Sequence, residues 1–190
     1  MKIIQFTFTL LLIALVSCNQ FPGKKNLSDD DMKVVQDTVF TEMFNRDCCG
    51  YTGGDGTISV LLPDGRTVWL FGDTFLGTVK PDNTREKAVP IFIRNSLVVQ
   101  DGNSVITLHQ GTTEHPASFV IPPPEVPGGR RLSEDSVWFW PNNGFVENNK
   151  LKIFLSGIIQ ADTGMWGFRW TGTWLASYSL PEITEEEIIP

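Results

Sequence analysis

The sequence predicts an all-β fold made of antiparallel sheets, and three observations carry that prediction. Thirteen Phe and six Trp are interleaved with 17 Gly and 12 Pro, and aromatic residues suit strands while Gly and Pro punctuate turns. Two β-rich runs flank Pro63-Asp64-Gly65 and two more flank Asp101-Gly102-Asn103, each a hairpin signal because the glycine takes positive φ without steric cost. Only one short stretch, Asp30 to Met43, repeats apolar residues at helical spacing, through Met32, Val35, Val39 and Met43. With 41% hydrophobic and 19% charged residues the chain is globular in composition. Its formal charge of −7 speaks against a nucleic-acid partner, which would need clustered Lys and Arg.

Taken in order, Met1 and Lys2 precede an apolar run from Ile3 to Val16. That run is short of the ~20 residues a membrane span needs and reads as a signal peptide over residues 1–17. The ending Leu15-Val16-Ser17-Cys18 resembles the lipobox of bacterial lipoproteins. The resemblance implies cleavage before Cys18, acylation of that residue and a protein lipid-anchored in the cell envelope, with a membrane as partner. Residues 18–33 lack apolar periodicity and read as a flexible tether, leaving 34–190 as the folded domain. Cys48 and Cys49 are adjacent and have no other cysteine partner once Cys18 is lipidated, so free thiols are the expectation, with an oxidised pair as the alternative that export leaves open. His109 and His115 lack ligand-like spacing to that pair, and no metal site or cofactor is evident.

The runs 57–62, 66–71, 94–100 and 104–108 make one antiparallel sheet of four strands. From Gly111 to Glu134 five prolines and Gly128-Gly129 preclude a central strand or helix interior. A second sheet is expected through 144–146, 151–156 and 172–180, and the chain then runs into an acidic tail after Pro181. Successive four-stranded sheets are the mark of β-propeller blades, and a β-sandwich accounts for the same pattern. The apolar pattern leaves both open.

The stretch Thr52-Gly53-Gly54-Asp55-Gly56-Thr57, then Leu62 through Trp69-Leu70-Phe71-Gly72-Asp73-Thr74-Phe75, resembles the opening of a bacterial domain family in the glycosidase-type five-bladed β-propeller superfamily. Arg94-Asn95-Ser96 and Trp138-Phe139-Trp140-Pro141 extend the likeness, which covers about residues 50–180. It implies that the chain forms about the first two of five blades. It also implies that Asp55 activates water, or holds a cation-like sugar, in ionised form. Asp73 is then either a second site carboxylate or a turn residue capping backbone amides. Arg94, Asn95, Trp138, Trp140 and Asn142 fall where substrate-binding residues belong; indole faces stack on sugar rings, and the same tryptophans serve a core equally well. Some members of the wider clan of arabinanases and β-xylosidases hold an axial Ca²⁺, for which this chain shows no ligand set.

Where that clan has Trp-Ala-Pro-Asp, this chain reads Trp140-Pro141-Asn142-Asn143, and an amide cannot act as the second titrating group. The proton donor of such glycosidases comes from a third blade. The sequence therefore reads as an N-terminal fragment of a longer glycoside-hydrolase-like lipoprotein, acting on or binding a glycan or oligosaccharide and inactive by itself. A carbohydrate-binding or structural surface lipoprotein without catalysis is the alternative.

Overall fold

A computed structural model describes residues 33–85, 92–126 and 133–190. The signal peptide, Cys18 and nearly all of the tether lie outside the described residues. The chain divides into two compact units, 1–36 and 37–190. Of the first, only Lys33–Gln36 is described, and it carries no regular element. Every helix and strand among the described residues belongs to the second unit.

That unit opens on α1 (Thr38–Phe44), two turns long. The cap is Asp37, whose carboxylate accepts the Phe40 N–H at 3.0 Å. The sequence predicts the helix from Asp30; residues 30–32 lie outside the described residues, 33–37 are not helical, and the described helix starts at Thr38, where the Asp37 acceptor satisfies its first free amides. Phe40 and Phe44, four apart on one helical face, lie edge-on to Trp69 with centroids at 5.7 and 5.1 Å.

The first large sheet is the expected one. Strands β2 (Ile58–Leu61), β3 (Thr67–Phe71), β6 (Ser96–Asp101) and β7 (Ser104–Leu108) pair antiparallel in the order β2-β3-β6-β7. Gly65 takes the positive φ, 89°, that its hairpin required. Alternation gives the sheet two apolar faces. Val68, Leu70, Leu97 and Val99 enter the main core, while Phe71 and Val98 pack with Tyr51 and the partly buried Phe44 and Trp69. A small sheet that the sequence did not signal, β1 (Tyr51–Gly54), β4 (Thr74–Leu76) and β5 (Phe92–Ile93), pairs in the order β1-β4-β5. Its strands are two to four residues long, too short to show a period. Beyond β7, β8 (Gln110–Gly111) and β9 (Pro116–Ala117) form the only strands described in the proline-rich connection.

The second large sheet is an antiparallel meander, β10 (Val137–Glu147), β11 (Lys150–Gln160), β12 (Phe168–Ser179) and β13 (Thr184–Ile189). It corrects the expectation twice. Strand β10 begins at Val137 rather than Gly144 and runs through Pro141, which an edge strand tolerates; the register shifts there, between Pro141 and Asn143. The supposed acidic tail is β13, paired with β12 from Ser179↔Thr184 to Leu175↔Ile189. Its three consecutive glutamates resemble solvated coil, yet an edge strand also exposes most of its side chains.

The two large sheets share one core, in which Val60, Val68 and Leu97 meet Phe139, Ile153, Leu155, Ala176 and Tyr178. The sheets come close at Gly144 of β10, where a Cβ would stand 2.9 Å from Val60 Cγ2 and 3.4 Å from Leu70 Cδ1. No sheet closes into a barrel among the described residues. Within this core the Tyr178 phenol is 1% exposed, and its hydroxyl finds no partner among the described residues. Burial, and then the charge of Glu185, push its pKa far above the ordinary value. A buried hydroxyl without a partner opposes folding. Tyr178→Phe is therefore expected to leave stability unchanged or raise it by about 1 kcal/mol, read from the urea midpoint.

Candidate functional site

Two backbone bonds create the site. Asp55 comes directly after β1, and Gly72-Asp73 links β3 to β4. The Asp55 N–H donates to Asp73 O at 3.1 Å and the Gly72 N–H to Asp55 O at 2.9 Å, so the two aspartates emerge side by side at one rim. Glycine is required at 72, since a Cβ there would collide with Asp55 Oδ1 and touch Trp140 Cδ1 at 3.4 Å. Asp55 and Trp140 thus converge over a bare backbone. Below them Thr74 donates to Gly72 O at 2.7 Å and shares a 3.0 Å hydrogen bond with Ser96, both residues fully buried.

Asp73 is held from two sides. Trp140 Nε1 donates to its Oδ1 at 2.9 Å, and an Arg94 guanidinium nitrogen stands 3.5 Å from its Oδ2. Arg94 itself lies over the Trp138 ring at 4.2 Å and the Phe92 ring at 5.1 Å, where a planar cation gains attraction from the π-faces. Its backbone N–H donates to Ser118 Oγ, which in turn donates to Glu134 Oε2 at 2.6 Å. The aromatic groups continue outward from Trp138 to Trp140 at 5.6 Å, to Phe168 at 5.1 Å, and on to Trp166 at 6.2 Å.

As a residue Asp55 stays accessible to solvent, yet its carboxylate is partly desolvated where it rests over Gly72. That burial and, second, the Asp73 charge raise its pKa above the ordinary 3.8, against two backbone hydrogen bonds that lower it. A group whose folded pKa is raised costs the native state stability as pH rises through that value. In Asp73→Asn the charge contribution vanishes while burial remains. Asp55 is then expected to titrate at lower pH, and the stability lost just above the ordinary carboxylate range to shrink; carboxyl-detected NMR and urea midpoints against pH read both.

Of the residues singled out in the sequence, Asp55, Asp73, Arg94 and Trp140 come together, while Trp138, expected to bind substrate, is 1% exposed and packs beneath Arg94 with no ring face open to a ligand. Asn95 is placed elsewhere: it is 0% exposed, donates to Val120 O at 2.9 Å and Phe139 O at 3.0 Å, and accepts from Val120 N at 2.7 Å. No group is left for a ligand. Asn142 is the exposed residue at the register shift itself and donates to Ser156 Oγ at 2.9 Å, not to either aspartate. Sequence reasoning missed Phe92, Ser118, Glu134 and Phe168; only the Phe168-x-Trp170 alternation hinted at any of them. Cys48 and Cys49 correct another expectation, since they form a disulfide, with Cys49 at φ 69° turning the backbone so that the two sulfurs meet. Among the described residues no group of three or more His, Cys, Asp or Glu is placed to hold a metal ion.

Comparison with known proteins adds two findings. A protein from Bacteroides ovatus ATCC 8483, whose crystal structure bears the description "putative hydrolase", superposes with a TM-score of 0.61 at 23% identity. The match covers 79% of this chain and 41% of that one, so the chain spans about two fifths of its length. A search of curated proteins returned no match. The model of the family "Domain of unknown function (DUF5005)" matches residues 37–190, all of the second unit, and the chain belongs to that family.

Proposed function

We propose that the Asp55–Asp73 rim is a glycan site of glycoside-hydrolase type, in an exported protein anchored through Cys18. The observation that carries this reading is the pairing of two carboxyl groups beside a half-buried indole, with the pKa of Asp55 raised by burial and then by the charge of Asp73. Hydrolysis of a glycosidic bond uses two carboxyl groups in different protonation states, and mutual repulsion is one way to separate them. Trp140, Phe168 and Trp166 offer ring faces on which sugars stack. The hydrolase description of the B. ovatus protein and the opening motifs of a five-bladed propeller point the same way, with the two large sheets as successive blades.

A second reading, glycan binding without catalysis, is favoured by Asn142, an amide hydrogen-bonded to Ser156 where the propeller glycosidases have a carboxylate. One experiment separates them. Tryptophan fluorescence is titrated with neutral oligosaccharides, and reducing ends are assayed in the same samples. Saturable quenching with sugar release that Asp55→Asn abolishes supports hydrolysis. Quenching that Trp140→Ala abolishes, without release, supports binding alone, and no quenching by any glycan defeats both. Palmitate labelling that disappears in Cys18→Ala tests the anchor.

A further inference from the structure

The outer face of the second sheet carries aromatic side chains beyond the Asp55–Asp73 rim. Cross-strand partners share a face, so Trp138, Ile158 and Trp170 form one row and Trp140, Ser156 and Thr173 the next. Their neighbours Phe139, Ile159 and Trp174 belong to the opposite face, which packs into the main core. At the edge of the second row the Asn142 amide donates to Ser156 Oγ at 2.9 Å. Neutral hydroxyl and amide groups thus lie beside the indole whose Nε1 donates to Asp73. From Trp140 the rings lead to Phe168 at 5.1 Å and then to Trp166 at 6.2 Å. Exposure rises along the way, for Trp170 is 61% and Trp166 81% exposed.

Trp166 sits in the β11–β12 connection, and that connection is tied down. The Ala161 and Asp162 N–H groups both donate to Gly167 O, at 2.9 and 2.8 Å. The Gln160 side-chain amide donates to Asp162 O at 2.8 Å and to Gly164 O at 2.9 Å. A loop fixed in this way has already lost the backbone freedom that binding would otherwise cost, and large rings held out to water mark an interaction surface. Residues 161–167 contain one aspartate and no lysine or arginine, which disfavours an anionic lipid surface. Ring faces with a few neutral polar groups beside them suit the apolar faces and hydroxyl edges of sugars.

We infer that the glycan site is elongated, with Trp170 and Trp166 as distal subsites, so that its ligand is an internal stretch of a neutral polysaccharide rather than a single sugar or a disaccharide. This rests on the reading of the Asp55–Asp73 rim as a glycan site and adds the direction in which the chain leaves the carboxylates, from Trp140 past Phe168 to the β11–β12 connection.

The test measures calorimetric affinities for cello-, xylo-, manno- and arabino-oligosaccharides, each from disaccharide to hexasaccharide. In at least one series the hexasaccharide is expected to bind at least about tenfold more tightly than the disaccharide. Trp166→Ala and Trp170→Ala, both at exposed positions and checked by thermal melting, are each expected to weaken the hexasaccharide at least about fivefold while leaving the disaccharide within about twofold. Equal affinity for the two lengths, or a hexasaccharide that either variant leaves unaffected, overturns the elongated site; the glycan reading of the rim then stands if Trp140→Ala removes the binding. Equal weakening of disaccharide and hexasaccharide in the two variants also overturns it. No binding in any series defeats the elongated site and the glycan reading together.

Discussion

Asn95→Ala is expected to lower the unfolding free energy by about 3–4 kcal/mol, the largest effect of any single change outside the apolar core. The side chain is fully buried and bridges two separate segments, the Val120 backbone through both its N–H and its C=O and the Phe139 carbonyl of β10. Truncation leaves three buried polar groups without partners, each costing about 1–3 kcal/mol before relaxation. With an ordinary dependence on denaturant, the urea midpoint falls by roughly 1–3 M at unchanged slope. Asn95→Asp gives an internal control. It keeps the acceptor for Val120 N–H but turns a charge toward two carbonyls, so its folded pKa lies above the unfolded value. Its stability is then highest at low pH and declines as pH rises through the folded value. A midpoint shift below about 0.5 M for the alanine variant, roughly 1 kcal/mol, would show that water fills the gap.

Arg94→Met is expected to cost about 2–3 kcal/mol and to abolish glycan quenching of tryptophan fluorescence. The guanidinium lies between Trp138 and Phe92 while facing Asp73, and both charged side chains are mostly shielded, at 19% and 27% exposure. Its second carboxylate neighbour, Asp135 at 3.8 Å and 88% exposed, adds little by comparison. Arg94→Lys keeps the charge but not the flat cation that two rings enclose, so it is expected to recover less than half of the loss. Urea midpoints at low and high salt separate the two contributions. The ion-pair share shrinks with added salt and the stacking share does not.

Much of this architecture was legible because hairpin chemistry is local. Asp64-Gly65 and Asp101-Gly102 announce their turns within a few residues, and the period-two runs beside them identify the strands of the first sheet. The failures share a cause, which is that the deciding partner is distant in sequence. Strand β13 reads as an acidic tail until β12 supplies its ladder. Trp138 and Trp140 read as a separate motif until β11 pairs with them through Ile158 and Ser156. In the site, the chemistry-bearing residues Asp55, Asp73 and Arg94 are readable as residue types in turns. Asn95 is indistinguishable from them in sequence, for nothing local reveals that its amide faces Val120 and Phe139 rather than a ligand. Glu134 fails in the opposite sense, since a loop glutamate gives no sign of the Ser118 hydroxyl that it receives.

The meander from β10 to β13 bears on the order in which the chain folds. Each of its strands pairs with its neighbour in sequence, and Asn148 and Asn149 take the left-handed conformation of a two-residue hairpin turn, at φ 52° and 59°. Zipping such neighbours requires little loop closure, and the sheet is suited to nucleate early. The Asn95 amide instead joins positions 25 and 44 residues apart, and its bonds wait for both sheets to dock. Loss of that amide therefore appears chiefly as faster unfolding, while folding keeps nearly its original rate.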